Sequence, residues 1–386
     1  MTTTQNGTRV LMSGNEAVCE GAIAAGIRFY AGYPITPCTE ISEAMARRLP
    51  QVGGKYIQSE DEVGAIDFLM GGAIAGAKVM TATAGPGISL MQDGIGMATC
   101  AEIPMVVVDV QRDGPGLSSA TRSSQMDFMQ TRWGPHGDRL CIVLSPASVH
   151  DCFWLTVKAV NLSERFRTVV ILLSEGLLGH MREVIVKPDY NTVEHVERPR
   201  PTVTPEQYET YAVNHITDIP PMADVGSEYR NMFFLGKADK PGADLPPMNR
   251  WELQAFAVER LHQKILSRLD EMLMWEAFDT EDAEVLLAAW GSQSRVAHYV
   301  QQEARRQGLR VGLFRPITLW PYPEEALKSA AANVKAIIVP EMNRGQMRLE
   351  IERILRHHPA SITGVNHLGS TFITPPEIFK AIEEVI

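Results

Sequence analysis

The sequence predicts an α/β protein built on two doubly wound parallel sheets, and three observations predict it. Up to residue 186, short and wholly apolar runs alternate with stretches of helical periodicity. Strands that are apolar on both faces belong in a sheet covered by helices on both sides, which is the parallel arrangement. Residues 187–282 break that rhythm with Pro-rich polar sequence and one amphipathic stretch, and residues 283–386 resume it. The expected organisation is therefore 1–186, 187–282 and 283–386, a division that suits a chain of 386 residues.

In the first part, Arg9-Val10-Leu11-Met12 is a candidate strand, followed by a helix over 15–25 capped near Ser13 to Asn15. A strand over 26–30 and a helix over 39–49 come next. Residues 56–58 form a strand, 62–77 an Ala- and Gly-rich helix, and 78–83 a strand. A helix over 88–101 precedes the apolar strand 104–110, and strands at 141–144 and 168–173 flank a helix over 149–165. The middle part carries Arg198-Pro199-Arg200-Pro201, Ile219-Pro220-Pro221 and Lys240-Pro241-Gly242 through Pro246-Pro247. Its interspersed aromatics favour an extended strap over other surfaces, against a disordered linker. Leu253, Phe256, Val258, Leu261, Ile265, Leu269 and Leu273 predict one amphipathic helix over 249–275. The last part reads strand 285–290, helix 294–307, strand 310–314, a Pro-rich turn at 316–323, helix 324–331, strand 334–339 and helix 345–355.

Hydrophobic residues are 45% and charged residues 21%, as expected of a globular protein. The net charge of −10 argues against nucleic acid or an anionic membrane as the main partner. Cys19, Cys38, Cys100, Cys141 and Cys152 form no Cys-x-x-Cys pair, so the chain carries no iron–sulfur or zinc motif of its own. Mostly they lie in apolar stretches, the setting of reduced thiols in a cytoplasmic protein. The N-terminus has no signal-peptide core, and no apolar run reaches the ~18 residues of a membrane span.

Residues 31–39, Ala-Gly-Tyr-Pro-Ile-Thr-Pro-Cys-Thr, are the most informative segment. Each proline fixes its own φ and biases the residue before it toward extended backbone, so Tyr33 and Thr36 are held in a stiff loop. By itself this is also what a Pro-rich turn before a helix looks like. Glu62 opens a helix of small residues; buried there, its carboxyl would resist ionisation and share a proton, whereas at the surface it would oppose the helix dipole. Arg112 follows an apolar strand, where it would clamp a carboxylate or form a surface ion pair. The loops 83–87 and 113–119 contain glycines that permit close backbone approach, without a phosphate-loop pattern. Thr36, Glu62, Gly85 and Arg112 all lie just past candidate strands, and a parallel sheet brings such positions to one edge.

Together, Tyr33-Pro34-Ile35-Thr36-Pro37, Gln58-Ser59-Glu60-Asp61-Glu62, Thr81-Ala82-Thr83-Ala84-Gly85-Pro86-Gly87 and Val108-Asp109-Val110-Gln111-Arg112 resemble the α subunit of 2-oxoacid:ferredoxin oxidoreductases. Arg132-Trp133-Gly134-Pro135-His136-Gly137-Asp138, Gly179-His180-Met181-Arg182-Glu183 and Pro340-Glu341-Met342-Asn343-Arg344-Gly345-Gln346 extend the resemblance over nearly the whole chain. It implies a pyrimidine-side thiamine diphosphate-binding domain followed by a transketolase-C-like α/β domain. It also implies oxidative decarboxylation of a 2-oxoacid with CoA to acyl-CoA and CO2, with ferredoxin reduced.

The resemblance assigns Glu62, with Glu60 as competitor, to the cofactor's aminopyrimidine N1′, where it favours the tautomer that deprotonates the thiazolium C2. Ile35, Gly85 and Pro86 are the further cofactor-binding candidates, and Thr36, Arg112 and Tyr33 those for the substrate. The chain has no Gly-Asp-Gly diphosphate motif and no cluster-ligating cysteines. A β subunit is therefore expected to bring the diphosphate site, Mg2+ and a [4Fe–4S] cluster, with γ and ferredoxin-like subunits as further partners. The Arg-Trp-Gly-x-His-Gly-Asp segment resembles 2-oxoglutarate enzymes, whereas Gly114-Pro115-Gly116-Leu117 looks more like branched-chain members; aryl 2-oxoacids and a non-oxidative thiamine enzyme component stay open. Arg122 meets a second substrate carboxylate, or is a solvent-facing or interface arginine.

Overall fold

A computed structural model describes residues 7–117, 119–233, 240–241, 248–369 and 371–386. Two parallel-type sheets carry the fold, as the alternation of apolar runs and helices predicts. The larger has seven strands, in the order Thr318–Trp320, Ile142–Leu144, Val169–Glu175, Met105–Gln111, Val79–Thr83, Phe29–Gly32 and Lys55–Gln58. Every neighbouring pair is parallel except the first. The central strands Met105–Gln111 and Val169–Glu175 are buried at every position, which is why they read as continuous apolar runs. Alternate side chains serve two cores: Val106, Val108 and Val110 face one, while Met105 and Val107 face the other. The second sheet has five strands, in the order Trp275–Phe278, Val311–Pro316, Val285–Ala288, Ala336–Glu341 and Ser361–Asn366. Its edge strand Trp275–Phe278 is antiparallel and the remaining pairs are parallel.

Several elements differ from expectation. The first strand, Gly7–Ser13, pairs antiparallel with Arg182–Pro188 in a small sheet of its own. The expected helix over 88–101 is two, Gly85–Leu90 and Gln92–Cys100, with Met91 between them. The amphipathic helix is Arg250–Leu266, capped by Asn249 with Glu252 in a capping box, and does not reach 275. Beyond it, Leu269 and Met274 pack on the first core and Trp275–Phe278 pairs with Leu313–Pro316, so two separate surfaces pull the chain out of one helical axis. The Pro-rich stretch 316–323 contains the strand Thr318–Trp320, which joins the first sheet beside Ile142–Leu144. Pro316 and Pro321 bracket it, and an edge is where a strand tolerates neighbouring prolines. Ser361–Asn366 and Pro375–Glu383 complete the second unit beyond the elements expected.

The described part of the middle segment is an extended strap. Arg198 reaches under it to donate to the carbonyls of Ala73 (2.6 Å) and Ala77 (2.7 Å) and pairs with Glu164 (2.6 Å), all out of solvent. Arg167 Nη1 donates to Pro220 O at 2.6 Å, pinning the Pro220-Pro221 corner. Residues 242–247, part of the Pro-rich run, lie outside the described residues. Cys19, Cys38, Cys141 and Cys152 are buried. Among the described residues no helix is long and apolar enough to cross a membrane.

Candidate functional site

Four adjacent strands of the large sheet, Lys55–Gln58, Phe29–Gly32, Val79–Thr83 and Met105–Gln111, end at the same edge. Neighbouring strands are ~4.8 Å apart, so residues just past their carboxyl ends form one cluster. Those residues are Glu62, the loop 33–38, Gly85 with Pro86, and Arg112. Sequence order separates them widely; the strand order brings them side by side.

The loop 33–38 is held from several sides. Asn15 Nδ2 donates to Pro37 O at 2.9 Å, Cys38 N donates to Ile35 O at 3.0 Å, and Pro37 packs on Gly176. Arg112 Nη1 donates to the Thr36 carbonyl at 2.8 Å, joining two of the predicted residues directly. Ile35 turns partly into the core, whereas Tyr33 is 39% exposed at the rim.

Helix Glu62–Ile74 is capped by Asp61, whose carboxylate accepts from Gly64 N at 2.7 Å. Asp61 therefore meets the helix dipole, and Glu62 is free to turn inward, where it is only 5% exposed. Glu60 is exposed, so burial separates the two candidates. Desolvation raises the Glu62 pKa, Asp61 adds to the rise, and Arg112 partly opposes it. Gly87 leaves the space that the Glu62 carboxyl occupies. A Cβ there would lie 2.5 Å from Glu62 Oε1 and 2.0 Å from Thr83 Oγ1. Gly87→Ala is expected to displace Glu62 and to destabilise the fold by about 1–3 kcal/mol through overpacking. Turnover and thermal denaturation measured together check this: activity must fall further than the stability loss explains.

Arg112 is 6% exposed, and its Nε is buried without a hydrogen-bond partner. Buried guanidinium N–H groups are costly to leave unsatisfied, so this one marks a place for an acceptor. Its own carbonyl accepts from Ser124 Oγ at 2.7 Å, and Arg112 bridges to Ser123, closing the base of the loop 113–122. Arg122 and Leu117 stand exposed on that loop. Just beyond, Gln125 is tied to the second unit: its Nε2 donates to Trp290 O (3.0 Å) and its Oε1 accepts from Met342 N (3.1 Å).

Sequence reasoning missed Asp109, Asp127 and Gln111. Gln111 Oε1 accepts from Asp127 N at 3.1 Å, and the Asp127 carboxyl lies against Gly85. Asp109 is fully buried in the same strand that delivers Arg112. One signal was available, since an acid and an amide inside Met-Val-Val-Val-Asp-Val-Gln break an otherwise apolar strand.

Comparison with known proteins places the chain in a family. A family model described as pyruvate flavodoxin/ferredoxin oxidoreductase, thiamine diphosphate-binding, matches residues 20–234. A second, pyruvate:ferredoxin oxidoreductase core domain II, matches 283–378. The chain is 42% identical to 2-oxoglutarate synthase subunit KorA of Methanocaldococcus jannaschii, over 96% of this chain and 98% of that one. It is 37% identical to ketoisovalerate oxidoreductase subunit VorB of Methanothermobacter marburgensis, over 97% of each. A solved 2-oxoglutarate:ferredoxin oxidoreductase from Magnetococcus marinus, with 2-oxoglutarate, coenzyme A and succinyl-CoA bound, superposes with a TM-score of 0.88 at 34% identity. That match covers 97% of this chain and 65% of the other. With the strand-end cluster and both core domains in place, the chain belongs to the 2-oxoacid:ferredoxin oxidoreductase family, as an α subunit.

Proposed function

We propose that this chain supplies the pyrimidine-side half of a thiamine diphosphate site that oxidatively decarboxylates 2-oxoglutarate with CoA, giving succinyl-CoA and CO2 and reducing ferredoxin. The observation that carries this reading is the pair of buried side chains, an acid at Glu62 and a cation at Arg112, gathered at one edge of the sheet past the ends of Lys55–Gln58 and Met105–Gln111. The names and identities of the relatives support the substrate.

The residues present fit the cofactor. Glu62 offers a desolvated carboxyl whose pKa is raised, which suits sharing a proton with a ring nitrogen. Gly85 and Gly87 keep the neighbouring backbone free of side chains, and Ile35 and Pro86 offer apolar contact. When bound, thiamine diphosphate supplies the nucleophilic carbon and the electron sink for loss of CO2. Glu62 holds the proton at the aminopyrimidine N1′. Arg112 uses its open Nε to bind the 2-oxoacid carboxylate, while its bond to Thr36 O fixes the guanidinium plane. Thr36 and Tyr33 complete the substrate side. The diphosphate, Mg2+ and a [4Fe–4S] cluster belong to a β subunit in this reading, with γ and ferredoxin-like subunits as further partners. We also keep 1–186, 187–282 and 283–386 as functional units; the second family model, starting at 283, supports the last boundary.

The test is the complex purified with its partner subunits, CoA and a low-potential acceptor, assayed on a panel of 2-oxoacids. Arg112→Gln is expected to raise KM for every 2-oxoacid by roughly 10- to 100-fold, the worth of one charge-assisted hydrogen bond (about 1.5–3 kcal/mol). Arg122→Ala is expected to raise KM for 2-oxoglutarate alone, because only that substrate has a second carboxylate. The exposed Leu117 and the VorB likeness favour a second reading, a branched-chain 2-oxoacid. Faster turnover of 2-oxoisovalerate than of 2-oxoglutarate would establish it.

A further inference from the structure

We propose that Gln125 and Asn343 are positioning residues: through them the second sheet holds the backbone from which Arg112 projects, and so sets the affinity for the 2-oxoacid. This rests on the assignment of Arg112 to the substrate carboxylate. Gln125 is fully buried. Its N–H donates to Met342 O at 3.2 Å, and its carbonyl accepts from Asn343 Nδ2 at 2.6 Å. Its Oε1 accepts from Met342 N at 3.1 Å, while its Nε2 donates to Trp290 O at 3.0 Å and to Glu175 Oε1 at 2.8 Å. Every polar atom of the residue is thus engaged. Trp290 and Met342 lie just past Val285–Ala288 and Ala336–Glu341, neighbouring parallel strands of the second sheet. Glu175 ends Val169–Glu175, the neighbour of Met105–Gln111 in the first sheet. The carboxyl edges of both sheets therefore meet at this one side chain. Gly291 makes room for it: at φ +56°, a Cβ there would lie 2.0 Å from Glu175 Oε1 and 2.8 Å from Gln125 Nε2.

Asn343 is shaped for this contact. Its Oδ1 accepts from Gly345 N (2.7 Å) and Gln346 N (2.8 Å), which closes the turn before helix Gln346–Ile354 and leaves Nδ2 to reach Gln125 O. Gln346 extends the grip: its Nε2 donates to Met126 O at 2.6 Å, and its Oε1 accepts from Met129 N at 2.8 Å. The segment Pro340-Glu341-Met342-Asn343-Arg344-Gly345-Gln346 is therefore what fixes residues 125–129. From there the step to the site is short. Ser124, next in the chain, donates its Oγ to Arg112 O at 2.7 Å, and Ser123 bridges to Arg112. Both serines are buried, so water offers no ready substitute for these bonds. A backbone displacement at Arg112 carries the guanidinium off the carboxylate it binds, and a misplacement of about 1 Å can cost roughly 10²-fold.

The assembled enzyme tests this with kinetics and amide hydrogen exchange. Asn343→Asp keeps an acceptor for the turn and removes the donor to Gln125 O. It is expected to raise KM for the 2-oxoacid roughly tenfold with kcat little changed. In the substrate-free enzyme it is also expected to speed exchange of the amides of 112–124. A merely structural role would lower the yield of active complex and would not single out KM. Should Asn343→Asp fail to assemble, Asn343→Ser, uncharged and still able to close the turn, is expected to give the same two changes. Adding Asn343→Asp to Arg112→Gln is expected to raise KM no further, because both substitutions act on one group. An unaltered KM in the assembled variant, unaltered exchange over 112–124, or a further rise in the double variant would overturn the proposal. Failure of the underlying assignment looks different: Arg112→Gln would then itself leave KM unchanged.

Discussion

Glu62→Gln is expected to lower turnover of the assembled enzyme by about 10²- to 10⁴-fold, the usual contribution of a positioned acid–base group. Glutamine fills the same space beside Gly87 and Thr83, so assembly and KM for the 2-oxoacid should change little. Stability gives an independent reading with a definite sign. A carboxyl whose folded pKa is raised stabilises the fold below its unfolded pKa and loses that contribution as pH rises through the folded value. Burial raises Glu62, so near neutral pH its ionised form is a burden on the fold that glutamine lacks. The variant should therefore melt at or above the wild-type temperature at pH 7 while being nearly inactive. Turnover, size-exclusion of the complex and thermal denaturation are sufficient to check this. Wild-type turnover would remove Glu62 from the mechanism, and inactivity with a lowered melting temperature would make the loss structural.

Glu102→Ala is expected to produce the largest loss of stability, about 3–5 kcal/mol, because it leaves buried cations without their carboxylate. Glu102 is fully buried at a positive φ of 51°. Its carboxylate receives Lys264 Nζ at 2.7 Å and Arg260 Nη1 at 3.1 Å, and its backbone carbonyl receives Arg167 Nε at 3.1 Å. This cluster fastens helix Arg250–Leu266 to the first sheet domain, and Arg260 also reaches Asp218 O in the strap. Burial pushes the Glu102 pKa up, but Lys264, Arg260 and Arg167 outweigh it and bring it to about 2. A depressed carboxyl contributes stability that is complete above its unfolded pKa and is lost as pH falls toward the folded value. Wild-type stability should accordingly decline below about pH 4.5, and the variant should lack that part of the decline. At alkaline pH the deficit should shrink, since burial already holds Lys264 at about 8 and its neutral form needs no counter-ion. Denaturant midpoints across pH measure both limbs; a flat, small difference would show that the cluster contributes specificity rather than stability.

Much of the first domain was legible in the sequence because its strands are buried on both faces and therefore apolar throughout. Val79–Thr83, Met105–Gln111 and Val169–Glu175 stand out for that reason. The main site candidates were legible for a related reason. In a parallel sheet every strand end points the same way, so Thr36, Glu62, Gly85 and Arg112 had to approach one edge whatever the strand order. The helix over 249–275 was misjudged because apolar spacing continues past Leu266 even though its side chains serve different surfaces. Thr318–Trp320 was hidden because a short edge strand between prolines resembles a turn.

The sequence by itself determined the class of fold, the edge at which the chemistry sits and the residue types it uses. Periodicity and chain direction are local properties, and they survive in a linear text. Only the tertiary structure decided that Asp61 caps its helix while Glu62 turns inward, that Arg112 bonds Thr36 O across 76 residues, and that Asp127 N meets Gln111 Oε1. It alone showed Glu102 under Arg260, 158 residues away. These are matters of burial and of charge meeting charge. They depend on which distant segments share a low-dielectric interior, and no spacing along the chain encodes that.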